Sequence, residues 1–355
     1  MVSVAAVVVG VADKQVGENR RAKDTGMTFF KLTLVAILVS LSAGFCSSTA
    51  LADSTPQPAA TPGGKSFPTP QKAAEALVTA ADNFDVPALI AIFGPHGKSI
   101  VLTGEVAQDR EHAGNFAAEA REKLKVAVDP HAGNRAFILV GKEDWPFPVP
   151  LVKSSQGWIF DAKAGETELM YRRIGSNELD AIQICLGYVE AQEDYALQTR
   201  PLYQVNQYAQ RIVSTPGKQD GLAWQNSDGT WGGPIGEKIA QAIDQGYTLR
   251  SDPYHGYFFK ILKGQGPAAP LGEMSYVVQG VMIGGFALVA APAEYGVTGV
   301  NTFLVSQDGV VYQKDFGPNS LDEFKKMELF NPDASWIPVA EKYEADNQQS
   351  GGNHD

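Results

Sequence analysis

Apolar side chains recur at helical spacing behind Thr69 and Pro70: Ala73, Ala74, Leu77, Val78 and Ala81. The pattern predicts a helix that Thr69 caps and Pro70 opens, because proline's fixed φ and missing N–H suit a first turn. Asp85 opens a second, shorter helix through Ile92, stopped by Gly94 and Pro95. A third spans 106–124, with Ala113, Phe116, Ala117, Ala120 and Leu124 on one face. The period then changes. Residues 126–128 and 136–140 read as strands around a turn at Asp129-Pro130 and Gly133-Asn134, and 149–153 and 158–161 as a second hairpin.

Residues 164–196 return to helical spacing. Gly175 is expected to break them into two helices, with Ser176 or Asn177 capping the second. Leu179, Ile182, Leu186 and Val189 form its apolar stripe, while Glu178, Asp180, Glu190, Glu193 and Asp194 face water. Beyond this, Gly and Pro punctuate the chain. A short helix is expected at 234–246, strands at 255–262, 276–279 and 282–290, and a hairpin of 301–306 with 309–315 on the Gln307-Asp308-Gly309 turn. Ser320 and Glu323 have the spacing of a capping box that opens a last helix. Helices followed by a strand meander, twice over, predict an α+β protein of two domains, 69–175 and 176–338, with a disordered polar tail at 339–355.

The N-terminal pattern differs from all of this. Within 27–52 a single Lys31 precedes an apolar run at 32–39, and the segment closes on Ala50-Leu51-Ala52. That is the layout of a secretory signal peptide with small residues Ala50 and Ala52 framing the cut. It predicts a periplasmic or secreted protein, with Met27 as initiator and 1–26 as an upstream extension outside the gene's real start. Residues 53–68, rich in Pro, Ala, Ser and Thr, read as a flexible leader.

Composition narrows the partners. The net charge is −11, and removal of the basic leader makes the remainder more acidic still. Such a surface repels nucleic acid and anionic lipid. No apolar run after residue 52 is long enough to span a bilayer. Cys185 alone would remain after cleavage, on the apolar face of a helix, so stability must come from packed cores rather than a disulfide.

Motifs for chemistry are sparse. None of the five histidines is paired at a metal-ligand spacing, so no metal is expected. Asn226-Ser227-Asp228-Gly229 lacks the later bidentate Glu of a calcium loop. Residues 214–218 look like a phosphate loop but lack its first glycine, and Gly264-Gln265-Gly266 does not open a helix. No catalytic residue and no cofactor is assigned. Two clusters remain as candidates for ligand binding. Trp145 and Phe147, with Trp158 on the next hairpin, either line a pocket or pack as core. Arg172 and Arg173, at the expected helix end before Gly175, either clamp an anion or pair with Glu168 or Glu178. The second cluster is Asp252, Tyr254 and His255, whose residue types suit acid–base work but which also stand where a strand begins.

Several strings carry a family resemblance: DWPFPVPLV at 144–152, RRIGSNELDAIQ at 172–183, YAQRIVSTPGKQDGLAW at 208–224, PYHGYFFKIL at 253–262 and the segment 283–317. Together they resemble the exported bacterial family catalogued as "domain of unknown function twenty-nine fifty", over 69–336. The resemblance implies a Gram-negative envelope location and supplies no catalytic residue. The first half, closing on Leu151-Val152 and 157–161, is similar to cone-shaped nuclear-transport-factor-2-like (NTF2-like) domains. The second half weakly resembles the globular heads of type IV pilin-like proteins. The expected function is a non-enzymatic envelope protein that binds a ligand or partner. The alternatives are a periplasmic hydrolase or isomerase using the Asp252–His255 loop, and an accessory factor of pilus or secretion machinery.

Overall fold

A computed structural model describes residues 63–102, 106–131, 133–197, 205–244 and 252–339. The expected signal segment with Ala50 and Ala52, and residues 340–355 of the expected tail, lie outside these residues, whereas Val339, its first residue, is buried. The described chain is α+β and divides into two compact units between Glu166 and Thr167.

The first unit opens with α1 (Pro70–Asp82) and α2 (Val86–Phe93). Their caps are those the sequence dictates: Thr69 accepts the Lys72 N–H and Asp85 the Ala88 N–H. A 3-10 turn (Gly94–His96) and the short α3 (Gly97–Val101) follow, then α4 (Val106–Glu122). Five strands complete the unit: β1 (Leu124–Val128), β2 (Arg135–Val140), β3 (Trp145–Pro146), β4 (Leu151–Ser154) and β5 (Gly157–Phe160). They form one antiparallel sheet in the order β1-β2-β4-β5, with β3 also paired to β2. The end of the expected leader is not free: Phe67 is buried and exchanges both backbone hydrogen bonds with Trp158.

Buried phenylalanines fill this unit. Phe147 lies 6.3 Å from Phe93, 5.1 Å from Phe116 and 6.3 Å from Phe160, ring to ring. The buried face of α4 also carries His112, which is 4 % exposed and whose Nδ1 has no hydrogen-bond partner. Burial lowers its pKa below 6.5, against the opposing pull of Glu111 and Asp109. The fold therefore holds a neutral imidazole, and the unfolded chain binds the extra proton as pH falls through 6.5. Stability is present above that pH and declines below it. A His112→Leu variant should lose less of its urea midpoint than the parent between pH 7.5 and 5.5. An identical pH slope in both proteins would contradict the assignment.

The second unit is built on α5 (Ala162–Ala196), which starts just before the division. Here the sequence expectation fails. Gly175 sits inside one continuous 35-residue helix. Nothing lies within 4 Å of where its Cβ would stand, so it weakens the helix by only about 1 kcal/mol and interrupts no backbone ladder. The stripe is also rotated from the expected one. Ala181, Ile182, Cys185, Tyr188, Val189 and Gln192 are buried, whereas Leu179 is 48 % and Leu186 36 % exposed. Burial pushes the Cys185 thiol up to about 12, so it is an inert hydrophobe, as its place on an apolar face suggested.

Beyond α5 come β6 (Trp224–Gln225), β7 (Trp231–Gly232) and α6 (Gly236–Asp244). Next are β8 (Tyr257–Leu262), β9 (Gly264–Gln265), β10 (Met274–Ser275), β11 (Val277–Val278), β12 (Val281–Met282) and β13 (Ala287–Pro292). The unit ends with β14 (Asn301–Ser306), β15 (Val311–Asp315), α7 (Ser320–Lys326) and β16 (Ile337–Pro338). The main sheet is antiparallel in the order β16-β15-β14-β13-β8. Every residue of β13 is buried, which its unbroken apolar run ALVAAP requires of a central strand. The expected strand over 282–290 is in fact the end of β12 and most of β13, separated at Gly284 and Gly285. Gly285 has φ +140°, outside strand geometry.

The capping box is a further correction. Asn319 occupies the cap position and Ser320 is the first helical residue; its hydroxyl donates to Gly317 O at 2.7 Å. A 3-10 turn (Gly317–Asn319) runs straight into α7, so the serine closes that turn instead of capping the helix.

Candidate functional site

The structure brings the second sequence cluster against α5. Tyr254 and Tyr257 exchange backbone hydrogen bonds across His255 and Gly256, whose φ values are +48° and +74°. Two consecutive left-handed residues between paired strands make a primed two-residue hairpin turn, which explains why the strand starts at Tyr257 and not at His255. The turn fixes His255 so that Nδ1 lies 2.8 Å from Asp180 Oδ2 on α5, with the Tyr254 ring edge-on at 4.4 Å. Asp180 was expected to face water, as was Glu178. Glu178 Oε1 instead accepts the N–H groups of Val300 and Asn301, each at 2.9 Å. Those amides enter β14, and the carboxylate satisfies donors that burial would leave costly. Asn177, expected as a cap, donates from Nδ2 to Thr298 O at 2.8 Å.

The two arginines serve the same elements. Arg172 Nε donates to Glu168 Oε1 at 2.8 Å, one of the pairings the sequence suggested, and Arg173 Nε donates to Val297 O at 3.1 Å. Residues 173–180 of α5 thus hold the 254–257 turn and the 297–301 segment through side-chain hydrogen bonds. This is a structural clamp assembled from polar and charged side chains.

The first cluster separates. Phe147 is 4 % and Trp158 8 % exposed, both within the packed interior of the first unit, while Trp145 is half-buried on β3. Two of the three aromatics therefore fill the core, where their large apolar area is worth most.

A concavity lies elsewhere, in the second unit. A cleft of about 640 Å³ is lined by Arg211, Ser214, Thr215, Lys218, Gln225 and Trp231, among others. Its floor follows from local turn chemistry. Lys218 N–H closes a turn on Thr215 O, with Gly217 at φ +76°. Asp220 accepts the Thr215 N–H at 2.7 Å and its hydroxyl at 2.8 Å, and Ser214 Oγ accepts the Gly221 N–H at 2.9 Å. Burial opposes the charge on Asp220, but the two Thr215 bonds and the nearby Arg211 outweigh it and hold the carboxyl below the usual range. The wall is the β6–β7 ribbon, in which Gln225 stands directly across from Trp231, so the two side chains share a face. Lys218 is exposed and has no ion-pair partner among the described residues. The lining residues include two cations and no carboxylate.

Sequence reasoning weighed 214–218 only as a phosphate loop and passed over Trp231 and Gln225. The available signal was the concentration of Arg211, Lys218, Trp224 and Trp231 within a short stretch of an acidic chain. Among the described residues, no three His, Cys, Asp or Glu side chains are grouped so as to hold a metal ion, and no helix is long and apolar enough to cross a membrane.

No curated protein and no solved structure matches the chain. A family model described as "Protein of unknown function (DUF2950)" matches residues 64–339, which takes in nearly all of the described residues. The strings noted in the sequence fall within that match, and the chain belongs to this family of proteins of unknown function.

Proposed function

We propose that this chain is an exported, non-enzymatic binding protein whose ligand seat is the cleft of the second unit. The observation that carries the reading is the convergence of Trp231, Gln225, Arg211 and Lys218 on one concavity of about 640 Å³. That size falls within the roughly 300–1,000 Å³ usual for small-molecule sites, and its mix of one flat apolar wall with a few polar groups is typical of them. Export is supported by the Lys31, apolar-run and Ala50–Ala52 layout of 27–52. The likeness to NTF2-like and pilin-head folds belongs to the same reading, supported by helices followed by antiparallel strands in each unit. His255 acts here as part of the clamp on α5, through Asp180.

The test is ligand retention. Full-length protein purified without denaturation from envelope extracts, and a Lys218→Ala/Trp231→Ala double variant prepared in parallel, are compared by mass spectrometry of the small molecules they release. The reading predicts at least one compound held by the parent and lost from the variant. Identical released sets would contradict it.

A further inference from the structure

Granting that the cleft is the ligand seat, we infer that its occupant is an anionic saccharide, with a sugar ring stacked on Trp231 and its carboxylate on Lys218. Each part of the lining excludes a different class. A wholly apolar ligand would cover Gln225, Ser214 and Lys218 and leave buried polar groups unpaired. A bare inorganic anion would use the cations but leave the indole face without a partner.

A pyranose satisfies all the groups at once. Its C–H face covers the apolar indole, while its hydroxyls both donate and accept. The neutral groups around Trp231 have the matching capacity. Gln225 Nε2 donates to Gly229 O at a long 3.3 Å, which leaves Oε1 and a second N–H for a ligand. Ser214 Oγ accepts from Gly221 and keeps its own proton to donate. Thr215 is committed to Asp220 and takes no part.

The charge on the ligand follows from the cations. Arg211 Nε lies 3.6 Å from Asp220 Oδ2, so its charge is already partly answered. Lys218 is not answered in this way, and its ammonium supplies up to three donors at the cleft. A carboxylate on the sugar converts that group into a charge-assisted hydrogen bond, the stronger kind.

The experiment is calorimetric titration of the full-length protein with tri-galacturonate and with its uncharged counterpart galactotriose, at low salt. The acidic sugar should bind at least about tenfold more tightly, a difference of about 1.4 kcal/mol. Lys218→Ala should remove most of that preference, weakening tri-galacturonate far more than galactotriose. Trp231→Ala should weaken both; if that variant does not fold, Gln225→Ala at an exposed position should weaken both by severalfold. Equal affinity for the two sugars, or an unaltered preference in Lys218→Ala, overturns the anionic class while a loss in Trp231→Ala still keeps the cleft as the seat. Undiminished binding in every variant overturns both the ligand class and the seat. Failure of both sugars to bind overturns the saccharide, and ligand retention by the parent then decides the seat independently.

Discussion

Replacing Gln192 with leucine should lower the unfolding free energy by roughly 2–5 kcal/mol, since each buried polar group left without a partner costs about 1–3 kcal/mol. Gln192 is fully buried on α5 and its amide is used at both ends. Oε1 accepts the Ala209 N–H at 2.7 Å, and Nε2 donates to Ala209 O at 2.8 Å and to Tyr188 Oη at 2.9 Å. Ala209 is itself 1 % exposed, so water cannot replace the lost partners. Leucine keeps most of the side-chain volume, which separates the hydrogen-bond effect from a cavity effect. Urea denaturation gives the number. A loss under about 1 kcal/mol, the net worth of one ordinary hydrogen bond, would mean that the amide does not secure this segment.

Gly299→Ala should be nearly as damaging, at about 3 kcal/mol, the upper end for forcing atoms into a packed core. An added Cβ would fall on the Tyr257 hydroxyl, with ring carbons Cζ and Cε2 at 2.6 and 2.8 Å. Tyr257 has no room to retreat. It is fully buried, its Oη donates to Asn301 O at 2.9 Å, and its ring packs on Phe303 with centroids 5.8 Å apart. Glycine is required here by close approach and not by backbone conformation. The check is a double-mutant cycle. Tyr257→Phe removes the hydroxyl that the new methyl strikes first, so Gly299→Ala/Tyr257→Phe should be less destabilised than the sum of its parts. Strict additivity would place the strain elsewhere.

What the sequence disclosed was mainly what short-range chemistry decides. Thr69 and Asp85 cap α1 and α2 because a side-chain oxygen reaches an N–H three residues on, and that needs no tertiary knowledge. The β14–β15 hairpin was legible for the same reason: Gly309, at φ +74°, closes a turn between two β-branched and aromatic-rich segments. The burial of Cys185 was read correctly from its place on an apolar face. The continuity of α5 through Gly175 was not legible, because a glycine's local cost of about 1 kcal/mol is outweighed by packing that only the folded chain provides. Likewise, Leu179 and Leu186 satisfied the helical period, yet the smaller Ala181 and Cys185 face inward. Glu178 and Asp180 looked like solvent-facing charges. Their partners lie 122 and 75 residues away, at Val300 and His255, and no periodicity records such a pairing.

The candidate site was less legible than the fold. Trp145, Phe147 and Trp158 attracted notice because aromatics signal both pockets and cores, and the interior of the first unit claims Phe147 and Trp158. The cleft depends on two-residue strands, β6 and β7, too short to produce a pattern of their own. Its lining becomes a surface only when Gln225 pairs with Trp231 and the turn at Gly217 brings Lys218 round.

The most direct measurement follows the five tryptophan indole N–H signals by NMR while the full-length protein is titrated with the low-mass fraction of an envelope extract. Trp231 lines the cleft and Trp158 lies in the core of the first unit, so the two signals report on the competing places for a ligand. A saturable shift of the Trp231 signal, with Trp158 unmoved, is the result expected of a ligand seat at the cleft. Saturation of shifts at Trp145 or Trp158 with Trp231 unchanged would contradict it.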